Sequence, residues 1–163
     1  MALLLFVAIN NHNNLQLVCQ ALVDDEIAET HIWILKYTLL ITGGIKQSNR
    51  IISGGLIPFV FITNSDPTVD AAYIKIYQDC YIMHCIYHIG SNLYKKLSKL
   101  LGEKYLEFLC KFYNTRNSLN QERFEQLFIK LVEKYEQIAN YLKKLYKTKT
   151  YWAFCFILTI FTV

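Results

Sequence analysis

The hydrophobic pattern changes period near residue 86, and that change constrains the fold more than any single motif. Before it, apolar residues fall in short runs separated by turn residues. After it, they recur at helical spacing through 86–101, 103–114, 118–134 and 136–147. Such a chain is expected to mix strands and helices first and to continue as helices alone.

In the first half, "LLLFVAIN" (Leu3–Asn10) reads as a buried strand, and Asn11–Asn14 as a turn of hairpin length. Leu15–Val23 is the returning strand. Asp24 or Asp25 is expected to cap a helix whose face carries Ile27, His31, Ile34, Leu35 and Thr38. Gly43 and Gly44 end it, and residues 45–56 read as a surface loop. Ile57–Thr63 is the strongest buried-strand pattern in the chain. Asp66 is then expected as an N-cap, with Pro67 in the first turn and Val69, Ala72, Tyr73 and Ile76 facing inward. Asp70 and Asp79 read as solvated, and Cys80–Cys85 as a short strand. Ser118 with Gln121 fits a capping box.

Composition narrows the class. Hydrophobic residues make up 53% of the 163 and charged residues 18%, which excludes intrinsic disorder of the whole chain. Residues 1–70 hold three Lys/Arg against six Asp/Glu, a net of −3. Residues 71–163 hold fourteen against seven, a net of +7. A basic half suits nucleic acid or another anionic surface; the bland alternative is a set of solvated helix faces. Five cysteines, an odd number, with no basic stretch or cleavage site around Met1–Ile9, suggest reduced thiols in an intracellular compartment. Tyr151–Val163 is apolar, but 13 residues are short of the ~20 a spanning helix needs, so a membrane anchor is the weaker reading.

Strand, strand, helix, strand, helix, strand and then helices is part of the ribonuclease H-like order. Three stretches carry a more specific likeness. "DDEIAETHIWIL" (Asp24–Leu35), with Trp33, is similar to the D-E-T-x-E-x-x-x-W-x-L helix of the transposase domain of Mutator-like elements (MULE), a domain shared with the FAR-RED-impaired-response proteins. "ITNSDPTVDAAYIKIY" (Ile62–Tyr77) resembles that family's I-T-D-x-D-x-A-x-x-A-A-I strand and helix. "YIMHCIYHIGSNLYKKL" (Tyr81–Leu97) resembles its H-x-x-C-x-W-H-I-x-x-N-L segment, and Phe112–Tyr135 its helical insertion. The resemblance implies an α/β fold: a partial ribonuclease H-like core of about four strands in a mixed sheet over 1–101. A helical insertion region and the apolar C-terminal segment would follow over 102–163.

The resemblance also implies two-metal phosphoryl transfer, in which an Asp, Asp, Glu set holds two Mg²⁺ ions. The first Asp is expected before Leu3 and the Glu after Val163; the second falls at Asn64. A neutral amide is a poor ligand for a hard divalent cation. Asp66 is a candidate substitute, with N-capping as its favoured role. The catalytic set is therefore expected not to be intact and no cofactor is expected. Cys85 and His88, the family's C-x-x-H pair, would shape the site. A structural zinc needs four ligands; His84 and Cys80 are nearby but awkwardly spaced, so a packed Cys and hydrogen-bonded His is favoured over zinc.

Lys143, Lys144, Lys147 and Lys149 alternate with Tyr141, Tyr146 and Tyr151. Two readings stand level: phosphate contacts with aromatic stacking on DNA, or an ordinary basic helix end. The expectation is a truncated, catalytically inactive MULE-type domain with residual, sequence-independent DNA binding, nuclear if that binding is retained. The contrasting expectations are an interaction or structural remnant, or an active transposase only within a longer chain. An unfinished C-terminal segment predicts self-association.

Overall fold

The computed structural model describes residues 2–9, 15–43, 45–47, 50–53, 58–77 and 80–160. They form two compact units, Met1–Ile82 and Met83–Val163. The boundary precedes the helix that begins at Ile86, so that helix belongs with those that follow it.

The first unit opens with an antiparallel pair, β1 (Ala2–Ile9) and β2 (Leu15–Val23). The register runs from Ala2↔Val23 to Ile9↔Leu15, with a shift between Phe6 and Val7. Helix α1 (Ala28–Ile41) buries His31, Ile34, Leu35, Thr38 and Leu39. This is the expected face, but Ile27 is the exposed N-cap residue and makes no side-chain cap bond. Asp25 is not the cap either; its carboxylate accepts the Thr30 hydroxyl. Gly43, at φ 103°, closes the helix with its N–H on the Leu40 carbonyl, a backbone conformation that favours glycine.

The stretch 45–56, expected as a surface loop, contains a β pair. Strands β3 (Ile45–Gln47) and β4 (Arg50–Ser53) are antiparallel, with Gln47 opposite Arg50. Strand β5 (Val60–Thr63) is shorter than the expected 57–63 and only partly buried, with Ile62 exposed and Thr63 inside. It is followed by α2 (Pro67–Ile76) and by β6 (Tyr81–His84), its neighbour in the sheet. Tyr81 N–H donates to the Phe59 carbonyl at 3.0 Å. Helix α2 packs on α1 and buries Ala72 and Tyr73. Tyr73 lies 3.6 Å from Phe61 and 6.0 Å from Tyr77 between ring centroids. Burial pushes the Tyr77 phenol up to about 12. The described strands pair as β1–β2, β3–β4 and β5–β6.

The second unit is helical. Helix α3 (Ile86–Leu101) buries Ile89, Leu93, Leu97 and Leu101, a strict i, i+4 stripe. Gly102, at φ 52°, ends it, and a 3₁₀ turn (Gly102–Lys104) leads into α4 (Tyr105–Arg116). Helix α5 (Gln121–Lys134) starts later than the expected 118, because Asn120 rather than Ser118 is its cap. The Asn120 carboxamide oxygen accepts Arg123 N–H, whereas the Ser118 hydroxyl turns back to the Asn114 carbonyl. After a second 3₁₀ turn (Glu136–Ile138), helix α6 (Ala139–Tyr146) precedes a third (Lys149–Tyr151) and the short α7 (Phe154–Ile157).

The C-terminal segment, expected to lack packing partners, completes this core. Trp152 is fully buried, stacked on Phe112 at 5.5 Å and edge-on to Phe124 at 5.7 Å. Its indole N–H donates to the Leu145 carbonyl, and its own carbonyl accepts Arg116 Nε–H at 3.0 Å. Cys155 and Ile157 are buried with it. Trp152 and Ile157, expected to be left exposed, are therefore inside the fold. No helix among the described residues is long and apolar enough to cross a membrane.

Candidate functional site

The turn after β5 holds the position that the resemblance assigns to a catalytic aspartate. Asn64 is exposed, and its carboxamide oxygen accepts Asp66 N–H at 3.1 Å. Asp66 in turn accepts Thr68 N–H at 2.8 Å and caps α2, with Pro67 at the first helical position as expected. Ser65 between them takes φ 69°. Asp70, read from sequence as solvated, instead accepts the hydroxyl of buried Thr63 at 2.7 Å. The two carboxylates nearest Asn64 thus have local roles: one caps a helix, the other ties that helix to the strand end.

This arrangement does not fit a two-Mg²⁺ centre. The exposed amide supplies one neutral oxygen, already accepting Asp66 N–H, and the Asp66 carboxylate accepts Thr68 N–H. Hard cations of this kind are held by carboxylate oxygens. Among the described residues there is no group of three or more His, Cys, Asp or Glu placed to hold a metal. Asp79 lies outside the described residues.

Cys85 is the N-cap residue of α3 and makes no side-chain cap bond; it is half-buried. His88, one turn on, is exposed, edge-on to Tyr87 at 5.6 Å. His84 is buried against the Tyr151 ring at 5.1 Å. The Cys80 thiol, in the first unit, is pushed up by burial. Such a thiol carries little thiolate at neutral pH and is a weaker nucleophile and metal ligand for it.

The four lysines singled out by sequence separate into two kinds. Lys143, Lys144 and Lys147 are exposed. Lys149 is engaged inside the fold, its Nζ 2.6 Å from Glu125 Oε1 and 2.5 Å from Tyr146 Oη. The Tyr146 hydroxyl donates to Glu125 Oε2 at 2.6 Å. Burial alone would raise the Glu125 pKa, but hydrogen bonds from Lys149 and Tyr146 outweigh it and hold the carboxyl below its usual range.

Three further lysines on α3, Lys95, Lys96 and Lys99, are exposed and escaped the sequence reading. The signal that could have found them is the absence of acids. The second unit holds thirteen Lys/Arg and six Glu, a net of +7. All six Glu lie on α4, α5 and the two 3₁₀ turns at 102–104 and 136–138; α3 and α6 carry none.

Compared with known proteins, the chain is similar to "Protein FAR1-RELATED SEQUENCE 4" of Arabidopsis thaliana. The two are 23% identical over 154 residues, which cover 93% of this chain and 19% of that protein. The chain thus spans about a fifth of the length of this curated relative. No protein-family model matches, and no solved structure matches.

Proposed function

We propose that residues 1–163 are a transposase-derived domain that does not cleave DNA and binds duplex DNA without sequence preference, acting in the nucleus. The observation that carries the binding reading is charge segregation: the second unit is strongly basic, and two of its helices carry lysines with no acidic residue. Neutralising several phosphates is sufficient for sequence-independent binding. The similarity to FAR1-RELATED SEQUENCE 4 and the three motif stretches support the transposase ancestry.

The absence of cleavage is argued from the turn after β5, where Asn64 offers an amide and Asp66 is engaged as a cap. Two-metal catalysis needs carboxylates that bridge and neutralise two cations. Incubating the purified chain with duplex DNA and Mg²⁺ or Mn²⁺ tests this directly. Unchanged DNA is the expected result, and metal-dependent nicking refutes the reading.

A second reading, an interaction domain without a nucleic-acid role, is favoured by the outer face of α1. Trp33, Tyr37 and Ile41 are exposed there at i, i+4, i+8, with the two rings 4.7 Å apart. Failure of the chain to bind any duplex at low salt would select this reading.

A further inference from the structure

The inference rests on the DNA-binding reading and assigns its surface. Two contacts set α3 beside the 136–146 segment. Gln137 Nε2 donates to the Leu100 carbonyl, and Lys96 Nζ lies over the Tyr141 ring at 5.6 Å. Leu100 pairs with Gln137 and Lys96 with Tyr141, so the two segments run antiparallel.

Each residue turns about 100° around a helix. On α3, Lys99 therefore lies about 60° from Lys96, and Lys95 about 100°. On α6, Lys144 lies about 60° from Tyr141, whereas Lys147 and Lys143 are about 120° and 160° away. Buried Leu93, Leu97 and Leu142 fix the inward sides of both helices. Lys95, Lys96, Lys99 and Lys144 then crown one ridge, and Lys143 and Lys147 fall away from it. All four are exposed, and none is in an ion pair among the described residues. The described ion pairs lie elsewhere, on Glu107 and Glu125.

We infer that this α3–α6 ridge is the surface that engages the phosphate backbone of duplex DNA, with Lys96, Lys99 and Lys144 as its principal contacts. At a rise of about 1.5 Å per residue the four lysines fall within roughly 10 Å along the helices. A duplex presents about one charge per 1.7 Å of axis, so about six phosphates lie within that length. Tyr141 is the anchor under Lys96; its half-buried ring holds the ammonium without neutralising it. Neither α3 nor α6 carries a glutamate; the nearest along the chain, Glu103 and Glu136, stand on the turns at one end of the ridge.

The test is fluorescence anisotropy with a short labelled duplex. The wild-type chain is compared with Lys96→Gln/Lys99→Gln/Lys144→Gln and with Lys111→Gln/Arg123→Gln/Lys130→Gln on α4 and α5. Both triple variants lose the same net charge at exposed positions. The ridge variant is expected to lower the slope of log affinity against log salt by about 2 to 3, near 0.9 per phosphate contact. At 50 mM salt it should weaken binding at least tenfold, against less than threefold for the α4/α5 variant, both at order of magnitude. If the wild type binds and the two variants weaken equally, the ridge assignment is overturned while DNA binding stands. If the wild type binds no duplex, or binds only vesicles containing phosphatidylserine, the DNA reading falls and the ridge with it.

Discussion

Lys149 and Glu125 join the turn after α6 to α5, with Nζ 2.6 Å from Oε1. The contact closes the fold around Trp152, three residues further on, and removes Lys149 from the exposed basic surface. Glu125→Gln is expected to destabilise the second unit by about 1 kcal/mol, since a charge-assisted hydrogen bond is here partly solvated. The Glu125 carboxyl is held below its usual value in the folded chain. Its contribution is therefore present above the unfolded pKa of about 4.3 and is lost as pH falls through the lower folded value. Urea denaturation between pH 6 and 3 checks this, windows set by those carboxylate values: the gap between wild type and Glu125→Gln should narrow toward the acid end.

Trp152 is the second test of the folded-back C-terminal segment. It is fully buried, stacked on Phe112 of α4 and edge-on to Phe124 of α5, and its indole N–H donates to the Leu145 carbonyl. Trp152→Ala is expected to cost about 3–5 kcal/mol, a large part of the roughly 5–15 kcal/mol that holds a domain together. A shift in the urea midpoint measures it. A change below about 1 kcal/mol would mean that the segment does not pack as described.

The turn after β5 separates a structural from a catalytic aspartate. Asp66→Ala removes the cap of α2 and is expected to cost about 1 kcal/mol, while Asp66→Asn keeps an accepting oxygen and should cost less. Asn64→Asp keeps the acceptor for Asp66 N–H and should leave stability within about 0.5 kcal/mol of wild type. It should also gain no Mg²⁺-dependent cleavage, because one added carboxylate does not make a two-metal site. Thermal denaturation and a plasmid-nicking assay read the two effects separately.

The helical half was legible because its pattern is local and repeated. Ile89, Leu93, Leu97 and Leu101 state the buried face of α3 without any tertiary information. The cap of α5 was missed by two residues because Ser118 and Asn120 are both capping types, and only geometry decides which turns inward to the chain and which accepts Arg123 N–H. The β3–β4 pair was missed because Ser48, Asn49, Gly54 and Gly55 dominate its stretch and conceal two short strands. Asp66 could be assigned from Pro67 and spacing alone, since a cap is a local device. The ridge could not: Lys96 and Tyr141 meet only after α3 and α6 have packed on a shared core.

The most direct measurement is the affinity of the intact chain for two short duplexes of unrelated sequence, taken from about 50 to 200 mM salt. Three phosphate contacts predict a log–log slope near −2.7, a loss of about 40-fold across that range, and affinities for the two duplexes within about threefold. A salt-independent affinity, or no binding at 50 mM, would contradict the account.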